Sequence, residues 1–257
     1  MKDILIIAGC TLRRYIKNPI ALVLFLGAPI LVFAFLTGSG IENYFPDVKG
    51  FPGTCLQNSY VAPLGGLRTV DKECIIFMLM LIFYFAVLSF HAVTSDLKNG
   101  LSDRIKAAPT GPMKIVAGKF IGSFILILSF LTVILLTGKF LFQINFGSNF
   151  LVTCTALFLF CLITNSLGFI FAGFVRNIYV CFVLDFCIDF PMMFSVMTKS
   201  LSPSKMPPLF TFLLKISLHN YVLDAVLNAG IPYLTPILLV AAVTVPLSFI
   251  AGRWVLR

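Results

Sequence analysis

Charge is what this sequence has least of. Only 11% of its 257 residues are Asp, Glu, Lys or Arg, while 59% are hydrophobic and the mean hydropathy is +1.02. Soluble globular domains carry about 25% charged residues. A soluble fold of this length cannot hide so much apolar surface, so the bilayer is its solvent. Tryptophan occurs once, against 28 phenylalanines. The aromatic content is therefore lipid-compatible bulk rather than a set of stacking platforms. The net charge of +9 is accordingly not read as a nucleic-acid footprint, and no nucleic-acid partner is expected. Lys- and Arg-rich cytoplasmic loops explain it.

Catalytic signatures are missing as well. There is no G-x-x-x-x-G-K-S/T phosphate loop, which excludes ATP hydrolysis by that route, and there is no H-E-x-x-H or G-x-S-x-G. The two histidines, His91 and His219, fall at an inner span end and in a segment expected outside. They are not expected to share a metal. No metal or cofactor is expected in this chain, and it is not read as an enzyme. Its seven cysteines include no C-x-x-C. Cys55 and Cys74 flank a polar loop expected outside, where an oxidising compartment would allow them to form a disulfide. Cys154, Cys161, Cys181 and Cys187 fall in apolar runs and are expected to pack as small hydrophobes.

A helix needs about 20 apolar residues to cross the hydrocarbon. Six segments meet that length, at about 20–37, 75–95, 116–141, 150–174, 178–198 and 233–252. The chain is therefore expected to be an all-α integral membrane protein forming a single domain over 1–257. Arg13, Arg14, Lys17, Lys98, Arg104, Lys106, Lys114, Arg176 and Arg253 gather at span ends on one side, which makes that side cytoplasmic and puts both termini there. Residues 1–19 carry Ile4, Leu5, Ile7, Ala8, Leu12 and Tyr15 broadly on one face, with Arg13, Arg14 and Lys17 as polar anchors. That pattern predicts an amphipathic helix lying on the inner surface. Two external segments remain, 38–73 and 199–232. The second contains an apolar run, Leu209 to Leu218, only half a membrane long, and is expected to dip into the outer leaflet or lie on it.

Three features carry candidate function. The first is the charged stretch from Asp96 to Pro109, the only long charged segment between two very apolar ones. The second is Asp185 and Asp189, four residues apart and so on one helix face. Acids inside a span are expensive, and their default reading is function or pairing. Together with Asn165 they are candidates for a transport path. The bland alternative is that they are protonated or pair with Asn165 or Lys199. The third is a small-residue pattern, Gly118-x-x-x-Gly122 and Gly168 with Ala172. It suits close helix crossings, expected within one subunit rather than between two.

The charged stretch resembles that of the type-2 ATP-binding-cassette (ABC) exporter permeases, which carry E-R-E-x-G-T-x-E-R-x-x-x-S-P before a span opening with G-K. This chain reads Asp96-Leu-Lys98-Asn-Gly100-Leu-Ser-Asp103-Arg104-Ile-Lys-Ala-Ala108-Pro109 and then Gly118-Lys119. The two align without a gap, with Lys98 reversing the sign of the family's second acid. The stretch Arg13-Arg14-Tyr-Ile-Lys17-Asn18-Pro19 is similar to the end of the family's surface helix. Leu201-Ser-Pro203-Ser-Lys-Met206-Pro207 is similar to its external F-P-x-x-x-M-P segment. Asn220, Tyr221, Asp224 and Ala225 keep parts of its N-P-x-x-Y-x-x-D-A segment, without the Pro.

The resemblance implies six spans, an N-terminal interfacial helix and a cytoplasmic coupling helix in which Asp96, Gly100, Asp103, Arg104 and Pro109 bear on an ATPase. It implies separate ABC ATPase subunits as partners, which bind the ATP and Mg, and a second permease copy or a related permease. The expected location is a bacterial plasma membrane. The exported substrate is expected to be a hydrophobic or cationic drug, antibiotic or peptide. Two other classes remain open from the residues alone, namely a non-transporting membrane immunity or sensor protein, and a cation-coupled secondary transporter using Asp185.

Overall fold

The computed structural model describes residues 2–17, 23–38, 69–98, 111–147, 149–201, 208–228 and 230–255, and the described residues are helical with short turns. The helices are α1 (Lys2–Ile16), α2 (Ala28–Gly38, preceded by a π turn over Val23–Gly27), α3 (Thr69–Phe83), α4 (Phe85–Lys98), α5 (Pro112–Phe140), α6 (Phe150–Phe174), α7 (Ile178–Leu201), α8 (Pro208–Ile216), α9 (Leu218–Asn228) and α10 (Leu234–Val255). The fold class expected from composition is the one observed. Among the described residues, five helical stretches are long and apolar enough to cross a membrane: Asp71–Ser95, Pro112–Phe140, Phe150–Phe174, Ile178–Met197 and Ile231–Val255. Of the expected first span, the described part runs over Val23–Gly38, and its apolar helix Ala28–Thr37 is shorter than a crossing.

Helix α6 is the centre of the bundle and packs on α4, α5, α9 and α10. Its Gly168 lets α4 approach until a Cβ would collide with the Ala86 carbonyl oxygen. One turn earlier, Asn165 ties three helices together. Ser89 Oγ of α4 and Ser123 Oγ of α5 both donate to its Oδ1, at 2.6 and 2.7 Å. Its Nδ2 donates to the Phe120 carbonyl at 3.2 Å. All three side chains are fully buried. In an apolar medium such a knot has no water to compete with it, yet interhelical hydrogen bonds in membranes contribute only about 0.6–2 kcal/mol. Asn165→Ala is expected to lower the stability of the detergent-solubilised chain by that amount, read from its melting temperature. A larger loss would show that the knot acts cooperatively with the Gly168 crossing.

The pattern Gly118-x-x-x-Gly122 does seat a close crossing within the chain, and its partner is α1. A Cβ at Gly118 would meet Ile7 and the Ile4 carbonyl, and one at Gly122 would meet the Ala8 carbonyl and Thr11. With Asp3 beside Lys114, Nζ to Oδ2 3.5 Å, the contacts advance in step, so α1 runs in the same direction as the start of α5. Tyr15 completes the docking by donating to the Leu88 carbonyl at 2.7 Å. Ala8, Thr11 and Tyr15 are buried, whereas Leu5, Ile6 and Ile16 face outward.

Helices α8 and α9 meet at a 69° bend. Ser217 forms the corner, its Oγ donating to the Met192 carbonyl and accepting from the Asn220 amide. From that corner His219 lies against Phe83 and Phe160, with ring centroids 5.6 and 5.2 Å apart. Both rings belong to helices that cross. Val226, two turns further on, lies against Gly147 in the turn joining α5 to α6. The pair therefore runs inward to its corner and comes back toward the side it left.

Candidate functional site

Over residues 178–194, helix α7 is exposed on most of its surface, and its buried positions form one narrow stripe. Cys181, Asp185, Asp189 and Met193 are buried at four-residue spacing, while Phe182, Val183, Leu184, Phe186, Ile188, Phe190 and Phe194 are exposed. Spacing of that kind keeps one face toward a neighbour. The two acids are thus the inward face of a helix whose other side is apolar. Both are fully buried.

Their partners differ. His219 of α9 brings Nε2 to 2.9 Å from Asp189 Oδ1, with both side chains inaccessible to solvent. The contact has the distance of an ion pair, but its orientation falls outside hydrogen-bonding geometry. It is a charge contact when the imidazole carries its second proton. Asp185, one turn away, has no hydrogen-bond partner at either oxygen. Among the described residues, the buried side-chain polar atoms without a hydrogen bond are the Thr164 hydroxyl and the polar atoms of Asp185, Asp189 and His219. Unsatisfied buried groups are rare in folded proteins and call for an explanation. Here those of Asp185, Asp189 and His219 fall together, on neighbouring turns of α7 and against them.

The opposite wall is Tyr84. The helix is interrupted at this residue, between α3 and α4, where the Val87 amide bonds the Tyr84 carbonyl. The Tyr84 ring stacks on Phe182 with centroids 5.6 Å apart and planes 18° from parallel. It lies within electrostatic reach of both acids. Further along α7, Phe186 stacks on Phe190 and Phe190 on Phe194, at 5.2 and 6.0 Å, and Phe194 meets Phe210 of α8 at 5.4 Å.

The structure separates the sequence-derived candidates. Asp185 and Asp189 are together. Asn165 is not with them, because its amide is taken up by Ser89, Ser123 and Phe120, so it is no partner for either acid. The side chain of Lys199 lies outside the described residues. His219 and Tyr84 are the members that sequence reasoning missed. His219, in the segment expected to dip into the outer leaflet or lie on it, is fully buried beside Asp189.

At the end of α4, Arg14 Nη1 donates to Ser95 Oγ at 2.7 Å, while Arg13 and Lys17 are exposed. Asp96 is in α4 by its backbone, with its side chain outside the described set. Gly100, Asp103, Arg104 and Pro109 lie outside the described residues. Cys74 is buried, and Cys55 lies outside them, so their pairing is not addressed. No group of three or more His, Cys, Asp and Glu among the described residues is arranged to hold a metal.

A bundle of apolar crossings around fully buried acids is that of a polytopic membrane protein. The family model of ABC-2 type transporters matches residues 3–231, and the chain belongs to that family. It is a multi-pass membrane transport component, the permease part of an ABC transporter rather than its catalytic ATPase. A comparison with curated proteins found no match.

Proposed function

We propose that the chain is the transmembrane subunit of an ATP-driven exporter. It would act as a pair with a second copy or a related permease, over two separate ATPase subunits that bind ATP and Mg. The cargo is a hydrophobic or cationic compound. The observation that carries this reading is the family match over residues 3–231, which takes in every described helix but α10. The placement of the charged stretch supports it. That stretch joins the end of α4 at Lys98 to the start of α5 at Pro112. The same ends of these helices hold α1, through Arg14 to Ser95 and Asp3 to Lys114. A push on the stretch would therefore reach two crossings and the N-terminal helix at once.

Arg104 and Asp103 are the residues assigned to the ATPase contact, through charge-assisted hydrogen bonds, with Gly100 allowing close approach. The test is affinity purification of the tagged chain from its native membranes, followed by identification of a co-purifying protein with a phosphate loop and ATP hydrolysis. The wild-type chain should retain such a subunit. Arg104→Glu should weaken retention by about tenfold or more, as for truncation of a buried charged pair, and leave the amount of permease in the membrane unchanged. No ATPase on the wild-type chain, or equal retention by the variant with equal transport, would overturn the proposal.

A further inference from the structure

We infer that Asp185 is the receptor for a protonated amine, and that the chain binds an amphiphilic ammonium compound between α7 and the Tyr84 break.

The inference begins from an asymmetry. Two carboxyl groups are fully buried one turn apart, and the fold brings one imidazole to them. That imidazole is set against Asp189, at 2.9 Å. Asp185 is left with two oxygens that accept from nothing. A carboxylate withdrawn from water needs a cation or donors in place of the lost solvation, and Asp185 receives neither from its neighbours. Both acids lack a hydrogen-bond donor, but the basic side chain that the fold supplies stands against Asp189 and not against Asp185. What Asp185 lacks is what a primary ammonium supplies, a positive charge and N–H donors.

The surroundings fit the remainder of such a molecule. Tyr84 and Phe182 form a stacked pair beside the acids, and aromatic faces attract ammonium groups as well as covering apolar chains. Phe182 is 50% exposed, so the pair reaches the outer surface of α7 and offers a sideways route from the lipid. The stacked Phe186, Phe190 and Phe194 extend that aromatic surface along the helix. A divalent metal fits poorly, because no three ligating side chains converge among the described residues. An ammonium needs fewer and softer contacts.

The inference rests on the permease reading only in making the bound compound a transported one, since binding itself requires no ATPase. The experiment is therefore done on the full chain alone, in lipid nanodiscs. The probes are dansylcadaverine, a fluorescent lipophilic primary amine, and its analogue with a hydroxyl in place of the terminal amine. Wild type should bind the amine at least about tenfold more tightly than the alcohol, the yield of a hydrogen bond to a charged group. Asp185→Asn should abolish that preference and leave the affinity for the alcohol unchanged.

Melting temperature is followed in parallel. If Asp185→Asn does not fold, Asp185→Glu serves instead, since it keeps the charge and displaces it. It should change the amine affinity and not the alcohol affinity. An equal affinity of wild type for the two probes would overturn the inference, as a carboxyl that merely holds a proton would give. So would a preference that survives Asp185→Asn, or an amine affinity unmoved in Asp185→Glu. A chain that prefers the amine but recruits no ATPase would overturn the exporter reading and leave this site standing. Recruitment without amine preference would do the reverse.

Discussion

Replacing His219 with alanine is expected to destabilise the protein by about 3–5 kcal/mol, the cost of stripping one member from a buried charged pair. The imidazole is set against Asp189 at 2.9 Å, and its ring also fills the space between Phe83 and Phe160. Alanine would leave an acid facing apolar walls and a cavity beside it. The measurement is thermal unfolding of the purified chain in detergent, together with its yield from membranes. A double variant in which leucine replaces both His219 and Asp189 should recover most of the loss, because removing both partners leaves neither of them buried without the other. A loss in the single variant below about 1 kcal/mol, the range of exposed pairs, would show that the contact contributes no more than a surface one.

Gly168→Val is expected to be comparably damaging, for a steric reason. A Cβ there collides with the Ala86 carbonyl oxygen and comes within 2.6 Å of Ser89 Cβ and 2.9 Å of the Phe90 amide nitrogen. These atoms are at or next to the backbone, so no side-chain tip can swing aside. Helices α4 and α6 would have to separate. Overpacking of this kind costs about 1–3 kcal/mol, and separation would also pull Ser89 from Asn165, one turn away on the same helix. The result should be little folded protein, seen as aggregation on size-exclusion chromatography. Gly9→Ala is the control, because nothing lies within 4 Å of a Cβ at that position. Equal behaviour of the two variants would refute the close crossing.

The crossings were readable in the sequence because run length and charge are local properties. The stretches 116–141, 150–174 and 178–198 differ from the helices by a few residues. The two acids were readable for the same reason, since an Asp inside an apolar run stands out without knowledge of its neighbours. Their partner was not. His219 sits in a segment too short to cross, and only the corner at Ser217 carries it in to Asp189. A lone histidine in an apolar half-length helix was the available signal, and it pointed only to burial. The break at Tyr84 left no trace either, because 75–95 contains neither Gly nor Pro, the usual marks of an interrupted helix. For Gly118 and Gly122 the sequence announced a close approach, but spacing does not name what approaches, and that is α1. Asn165 shows the converse, a polar residue in a span whose bonds all go to neighbouring helices.

The path of α8 and α9 has a topological consequence. A segment that begins and finishes on one side of a bundle is not threaded through it. It can be drawn out and set back without any crossing helix having to pass another. Its polar attachments near the corner to the helix it lies against are the Ser217 hydroxyl on the Met192 carbonyl and His219 on Asp189. The pair is therefore built like a stopper in a neck, seated at its corner and removable as one piece.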